Sequence, residues 1–149
     1  MICMNDFEEV FAVEQCIAHS WTREMLREEL ESPLSVMVTE KREKIAGFAL
    51  GRVVADEGEI FRIAVLPEYR RQGIARKLLE ELHCKMREKG ASVCFLEVRS
   101  KNIPAISLYE KYGYERISLR RSYYGDDDAV IMKIRVTAYE QPYIPDLGR

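Results

Sequence analysis

The chain has 149 residues, 47% of them apolar and 32% charged, and 23 Lys and Arg against 25 Asp and Glu leave a formal charge of −2. That length supports one domain with a core of its own. The charge balance argues against direct nucleic-acid binding, and no apolar run approaches the roughly 18 residues that cross a membrane.

The chain starts MICMNDFEEV, which turns acidic where a secretory signal would be basic and then apolar, so a cytoplasmic protein is expected. Over 7–17, Phe7, Val10, Phe11, Val13, Glu14 and Ile17 recur at helical spacing, with Asp6 placed as an N-cap and 2–4 long enough only for a stub strand. A second helix opens at Thr22, carries Met25, Leu26 and Leu30 on one face, and stops at Ser32-Pro33. The period then changes: 35–40, 45–54 and 59–65 read as three strands, and the polar connectors between them predict an antiparallel meander.

A helix over 73–89 places Ile74, Leu78, Leu82 and Met86 on one stripe beside Leu79, with Gly90 just past its end. The stretch 93–98 reads as an interior strand covered on both faces. Asn102 caps a short helix with Pro104 in its first turn, running to Tyr112. Strands over 115–123 and 129–136 flank a Gly-Asp-Asp-Asp turn. The expected architecture is three-layer α/β/α around a mixed, mostly antiparallel sheet, with a domain over 1–136 and a C-terminal tail over 137–149.

Cys3, Cys16, Cys84 and Cys94 form no CxxC pair, and His19 and His83 add no zinc-ligand spacing. No metal is expected, and the thiols read as small buried hydrophobes. His83 cannot activate Cys84, because adjacent helical residues point apart.

The chemistry concentrates in RIAVLPEYRRQGIA, where a strand runs through a basic loop into a glycine that opens a helix. The free amides of a helix N-terminus attract anions, Gly73 lets a bound group approach the backbone, and Arg70 and Arg71 add charge. A phosphate or pyrophosphate is the matching ligand, although the loop is neither a Walker A sequence nor GxGxxG. A plain surface loop ahead of a glycine-started helix is the alternative.

Arg70, Gly73 and Ala75 fit Gln/Arg-x-x-Gly-x-Gly/Ala, and Asn102, Ala105, Leu108 and Tyr109 fit Asn-x-x-Ala-x-x-Leu-Tyr. In both motifs, and in element order over 2–136, the chain resembles the GCN5-related N-acetyltransferase (GNAT) superfamily. The strings LEVRSKN, RRSYYGDDDAVIMK and VEQCIAHSWTREML are similar to the RimI-type protein N-terminal acetyltransferases. Those enzymes acetylate the N-terminal alanine of a small-subunit ribosomal protein, and archaeal relatives acetylate many N-termini. The resemblance implies acetyl-CoA as co-substrate, with its pyrophosphate on Arg70, Arg71, Gln72, Gly73, Ile74 and Ala75, its pantetheine along Ile63, Ala64 and Val65, and a further contact at Asn102. Relatives have a proline before the tryptophan of the loop that helps form the peptide site, whereas this chain reads His19-Ser20-Trp21-Thr22.

Moving an acetyl group from a thioester to an amine needs a base for the amine, donors for the oxyanion and an acid for the thiolate. Glu97 shares a strand face with Val93 and Phe95, so a partly apolar cleft would raise its pKa as befits a base, the role the resemblance also implies. The alternative is a salt bridge to Arg99 on the same face. Tyr109, with an ordinary phenol pKa of about 10, is the candidate acid, or else a core tyrosine of an amphipathic helix. Tyr123 and Tyr124 resemble residues that grip the substrate's first peptide unit; on a strand, at most one would face the site. Trp21 would wall the same cleft or serve the core. Asp126, Asp127 and Asp128 would attract a positive N-terminus or form a solvated turn.

The expected activity is thus acetyl transfer from acetyl-CoA to a protein N-terminal amine, with no nucleic-acid or membrane partner. The alternatives are a broad N-terminal acetyltransferase, a small-amine or antibiotic acetyltransferase, and a non-enzymatic CoA-binding module.

Overall fold

The computed structural model describes residues 2–136, so the tail expected over 137–149 lies outside the described residues. Element order follows α1 (Met4–Glu14), α2 (Arg23–Glu31), β1 (Ser35–Lys41), β2 (Ile45–Val54), β3 (Glu57–Val65), α3 (Ile74–Glu88), β4 (Val93–Arg99), α4 (Ile103–Tyr112), β5 (Glu115–Arg120) and β6 (Ala129–Arg135). The sheet runs β1-β2-β3-β4-β6-β5. Only β3 and β4 pair in parallel, so the mixed, mostly antiparallel sheet matches expectation.

Two apolar clusters make the three layers. Phe7, Val10, Val13 and Leu26 of α1 and α2 close over Phe48 and Leu50 on one face. Leu78, Leu79, Leu82 and Met86 of α3, with Ile106 and Tyr109 of α4, close over Ala49, Cys94, Leu96 and Met132 on the other. Burying such side chains contributes about 1.5–3 kcal/mol each. Gly51 is needed beneath α3, since a Cβ there would lie 2.3 Å from the Glu59 carbonyl and 2.6 Å from Met86.

Helix ends follow local signals. The Thr22 hydroxyl accepts from the Met25 amide at 3.1 Å, and the Asn102 side chain accepts from the Ala105 amide at 3.3 Å. At the end of α3, Gly90 (φ +97°) donates to Arg87 and Ala91 donates to Met86, a Schellman ending.

Several expectations are corrected. Asp6 does not cap α1, which starts at Met4 behind Cys3; its carboxylate lies in the first turn, 3.8 Å from Lys41. Met4 being helical, no stub strand forms at 2–4. Cys3, Cys16 and Cys84 are exposed, and only Cys94 is buried. β4 is interior to the sheet but not covered on both faces: Cys94, Leu96 and Val98 are buried under α3 and α4, while Val93, Phe95, Glu97 and Arg99 stay half-open. The helices α1 and α2 pack chiefly over β1, β2 and β3. β5 ends at Arg120, because the Asp128 carboxylate captures the Ser122 amide at 2.7 Å and folds 121–124 into a turn, with Ser122 at φ +52°.

Candidate active site

A split in the sheet creates the site. The parallel ladder between β3 and β4 runs only from Glu57–Val93 to Ile60–Leu96. Past that point β4 pairs only with β6 as far as Arg99, and β3 stays on β2 up to Val65. At the split, Leu50 pairs with Arg62 but Gly51 pairs with Ile60, leaving Phe61 as a one-residue bulge. A bulge turns two successive side chains the same way: Phe61 and Arg62 both meet Trp21, at 6.3 Å and 5.1 Å.

The opened wedge holds two adjoining clefts. One, of about 680 Å³, follows Ile63, Ala64 and Val65 of β3 to Arg71, Gly73 and Ala75 at the head of α3. The other, of about 510 Å³, lies between the 16–21 loop, Glu97 and Tyr124. Ile17, Ile63, Asn102, Ala105 and Tyr109 line both, so the clefts meet at these five residues.

The first cleft suits an anion at one end. Gly73 begins α3 at φ +77° with no side-chain cap, and a Cβ there would meet nothing within 4 Å. The first intrahelical bond is from Lys77 to the Gly73 carbonyl, so the amides before Lys77 point out of the helix end. Arg71, also left-handed at φ +63°, lines the cleft. Arg70 lines the cleft as well, and its Nε donates to the Val65 carbonyl at 2.9 Å, bracing the loop against β3. Gln72 does not line the cleft, and Ile74 buries its side chain in the core, leaving its amide as its contribution.

At the second cleft Glu97 is part-buried, and its partner is Arg120 at 3.6 Å rather than Arg99. Arg99 instead pairs with Asp126 at 3.1 Å and lies 4.1 Å over the Tyr124 ring. The tyrosine pair divides as expected but for another reason: 121–124 is a turn, not a strand, and only Tyr124 lines the cleft while Tyr123 is 51% exposed. Burial and the nearby Glu97 charge push the Tyr124 phenol up from its ordinary pKa. The acidic turn is solvated only in part: Asp126 is exposed and paired with Arg99, whereas Asp127 is buried. Asp127 accepts from Ser100 and from the amides of Lys101 and Asp128, and the Ser100 hydroxyl foremost holds its carboxyl below the usual range.

Tyr109 is 6% exposed and stacks edge-on to Tyr114 at 5.6 Å. Burial, opposed by the Arg62 charge, raises its phenol well above the ordinary value. Tyr114 in turn lies 2.6 Å from His83 Nε2, and burial, with Arg87 adding to it, brings the imidazole down to about 4, so His83 is a neutral core residue.

Sequence reasoning missed Phe61, Arg62, Ile17 and the buried Glu14 as parts of the site. A carboxylate within the apolar repeat of α1 was the one available signal.

The Acetyltransferase (GNAT) family matches residues 3–114. The [ribosomal protein bS18]-alanine N-acetyltransferase of Escherichia coli (strain K12) is 44% identical over 98 residues, 63% of this chain, and the match spans only 66% of that protein's length. The Haemophilus influenzae protein of the same name is 37% identical over 135 residues, covering 85% of this chain and 90% of that protein. The crystal structure of the ribosomal-protein-S18-alanine N-acetyltransferase from Escherichia coli superimposes with a TM-score of 0.83 at 34% identity, covering 96% of each chain. With its split sheet, its uncapped α3 and these relatives, the chain belongs to the GNAT family of acetyltransferases.

Proposed function

We propose that the protein moves the acetyl group of acetyl-CoA to the N-terminal amine of a protein, foremost the N-terminal alanine of ribosomal protein bS18, in the bacterial cytoplasm. The observation that carries this reading is the meeting of the two clefts at Ile17, Ile63, Asn102, Ala105 and Tyr109, one leading to an uncapped helix end and the other to Glu97 and Tyr124. The names of the Escherichia coli and Haemophilus relatives support the acceptor.

The residues fit acetyl-CoA. An uncapped helix end with open space at Gly73, flanked by Arg71, is a cradle for phosphates. The β3 edge freed by the split offers the backbone of Ile63 and Ala64 to an amide-bearing arm, and the Val65 carbonyl is already engaged by Arg70. Asn102 caps α4 through its oxygen, leaving its amide nitrogen for a ligand. Bound acetyl-CoA supplies the activated thioester. Glu97 takes the proton of the amine, directly or through a water, and Tyr109 holds a proton for the departing sulfur. Trp21 and Tyr124 wall the acceptor, and no metal is called for.

Gly73→Ala tests the cradle. The left-handed backbone costs a side chain about 1–2 kcal/mol, and the new methyl enters the space where phosphate approaches. Lower thermal stability together with roughly tenfold weaker acetyl-CoA binding is expected; unchanged affinity would place the anion elsewhere.

The acceptor is tested by CoA release with peptides beginning Ala, Ser, Met-Leu or Met-Glu, beside spermidine and an aminoglycoside. Preference for Ala is expected. Equal use of Met-started peptides would make the enzyme a broad N-terminal acetyltransferase, and turnover of the small amines alone would overturn the acceptor.

A further inference from the structure

Glu14 is completely buried, yet it does not sit at the centre of the core. Its carboxylate takes a two-pronged grip from Arg62 (Nε to Oε1 at 3.1 Å, Nη2 to Oε2) and accepts from the Trp21 amide at 2.7 Å. The Trp21 indole then lies 5.1 Å over the same guanidinium. One carboxylate therefore ties three separate pieces together: the end of α1, the 16–21 loop and the bulged part of β3. Arg62, Trp21 and Phe61 all line the acceptor cleft, and Arg62 is the residue next to the bulge.

The loop is ill suited to hold this shape unaided. His19 sits at φ +57°, a region a non-glycine residue adopts only at a cost in strain. Its backbone bonds to α1 are the turn-like ones from Cys16 to Val13 and from Ile17 to Glu14. Ile17 and Trp21 add apolar packing and the Cys16 thiol donates to the Ala12 carbonyl at 3.4 Å, but the charged tether of the loop is the Glu14 side chain. Burying a charged pair carries a desolvation penalty that neutral packing would avoid, so its placement under the cleft wall calls for a reason beyond filling space.

We propose that Glu14 and Arg62 are positioning residues for acceptor binding: together they fix the 16–21 loop as the wall against which the acceptor amine is aligned. The proposal rests on the acceptor cleft described above. The cofactor groove runs from Ile63 toward α3 and includes neither Glu14 nor Arg62. Of the 16–21 loop only Ile17 reaches that groove, at its junction with the acceptor cleft, so losing the pair should loosen the acceptor site far more than the cofactor site.

The protein's single tryptophan is Trp21, so the loop reports on itself whatever the acceptor. Glu14→Gln keeps an oxygen for the Trp21 amide but loses the charge, and Arg62→Lys keeps the charge but cannot span both oxygens. In each variant, acrylamide quenching of Trp21 fluorescence should rise by about twofold or more and the peptide KM by roughly tenfold, while kcat and the acetyl-CoA Kd stay within about threefold. Glu14→Gln leaves Arg62 uncompensated and can cost folding; Arg62→Lys then carries the test, with acetyl-CoA binding as the check that the protein is folded. Unchanged quenching, or an unchanged KM with increased quenching, overturns the proposal, as does an acetyl-CoA Kd that rises in step with KM. A wild-type enzyme that uses only spermidine or the aminoglycoside overturns the protein acceptor instead, and the clamp is then decided by Trp21 quenching and the small-amine KM.

Discussion

Glu97→Gln is expected to lower kcat by about 10²–10³-fold while acetyl-CoA affinity stays within about twofold of wild type. The side chain stands on the half-open face of β4, where the sheet splits, and lines the acceptor cleft but not the cofactor groove. Gln fills the same volume and cannot take a proton. The competing role for Glu97 is its rim ion pair with Arg120 at 3.6 Å, and Arg120 is 55% exposed. Exposed pairs of this kind contribute about 0–1 kcal/mol, so Arg120→Ala should change kcat by no more than a few fold. A large loss in Arg120→Ala matching that in Glu97→Gln would make the carboxylate an organiser of the 121–124 turn. A kcat in Glu97→Gln within a few fold of wild type would remove it from the mechanism.

What could be read beforehand was what local chemistry dictates. Thr22, Asn102 with Pro104, Gly73 and Gly90 each announce a helix end through their own side chain or backbone freedom, and each sits where its type required. The stripe of Ile74, Leu78, Leu82 and Met86 packs as its spacing demanded. What stayed hidden depends on partners far along the chain. Arg62 and Glu14 are 48 residues apart, and nothing near either residue announces the other. The bulge at Phe61 changes which face two side chains take, and strict alternation cannot foresee it. The charge of Arg70 is visible in the sequence, but its turn back to the Val65 carbonyl is not. The half-open face of β4 reflects how far α1 and α2 reach, which the apolar pattern of the strand alone does not encode.

Tyr109→Phe should reduce kcat on the order of 10²-fold with acetyl-CoA binding nearly intact. Phe keeps the ring edge-on to Tyr114 at 5.6 Å and keeps its place among the core residues, so the fold should stand and only the hydroxyl is lost. A tyrosine that served packing alone would show no change in rate, which makes the substitution decisive between the two roles open in the sequence. Burial raises the Tyr109 phenol above its ordinary value, and the charge of Arg62 only partly opposes this. An acid must be protonated to act, and a raised pKa keeps it protonated to higher pH. The wild-type rate should therefore show no descending alkaline limb from this residue below about pH 10, the ordinary phenol value. The shift also makes the phenol a weaker acid, which would count against it if the sulfur left into water. It leaves into the same desolvated junction, where a thiolate becomes more basic for the reason that the phenol becomes less acidic. The two groups thus stay close enough in proton affinity for a hydrogen bond to strengthen as the carbon–sulfur bond breaks. Replacing the CoA thiol by a more acidic leaving thiol should shrink the Tyr109→Phe defect in proportion, since a weaker base needs the proton less. A defect of constant size across leaving groups would show that the hydroxyl orders the junction of the two clefts without passing a proton.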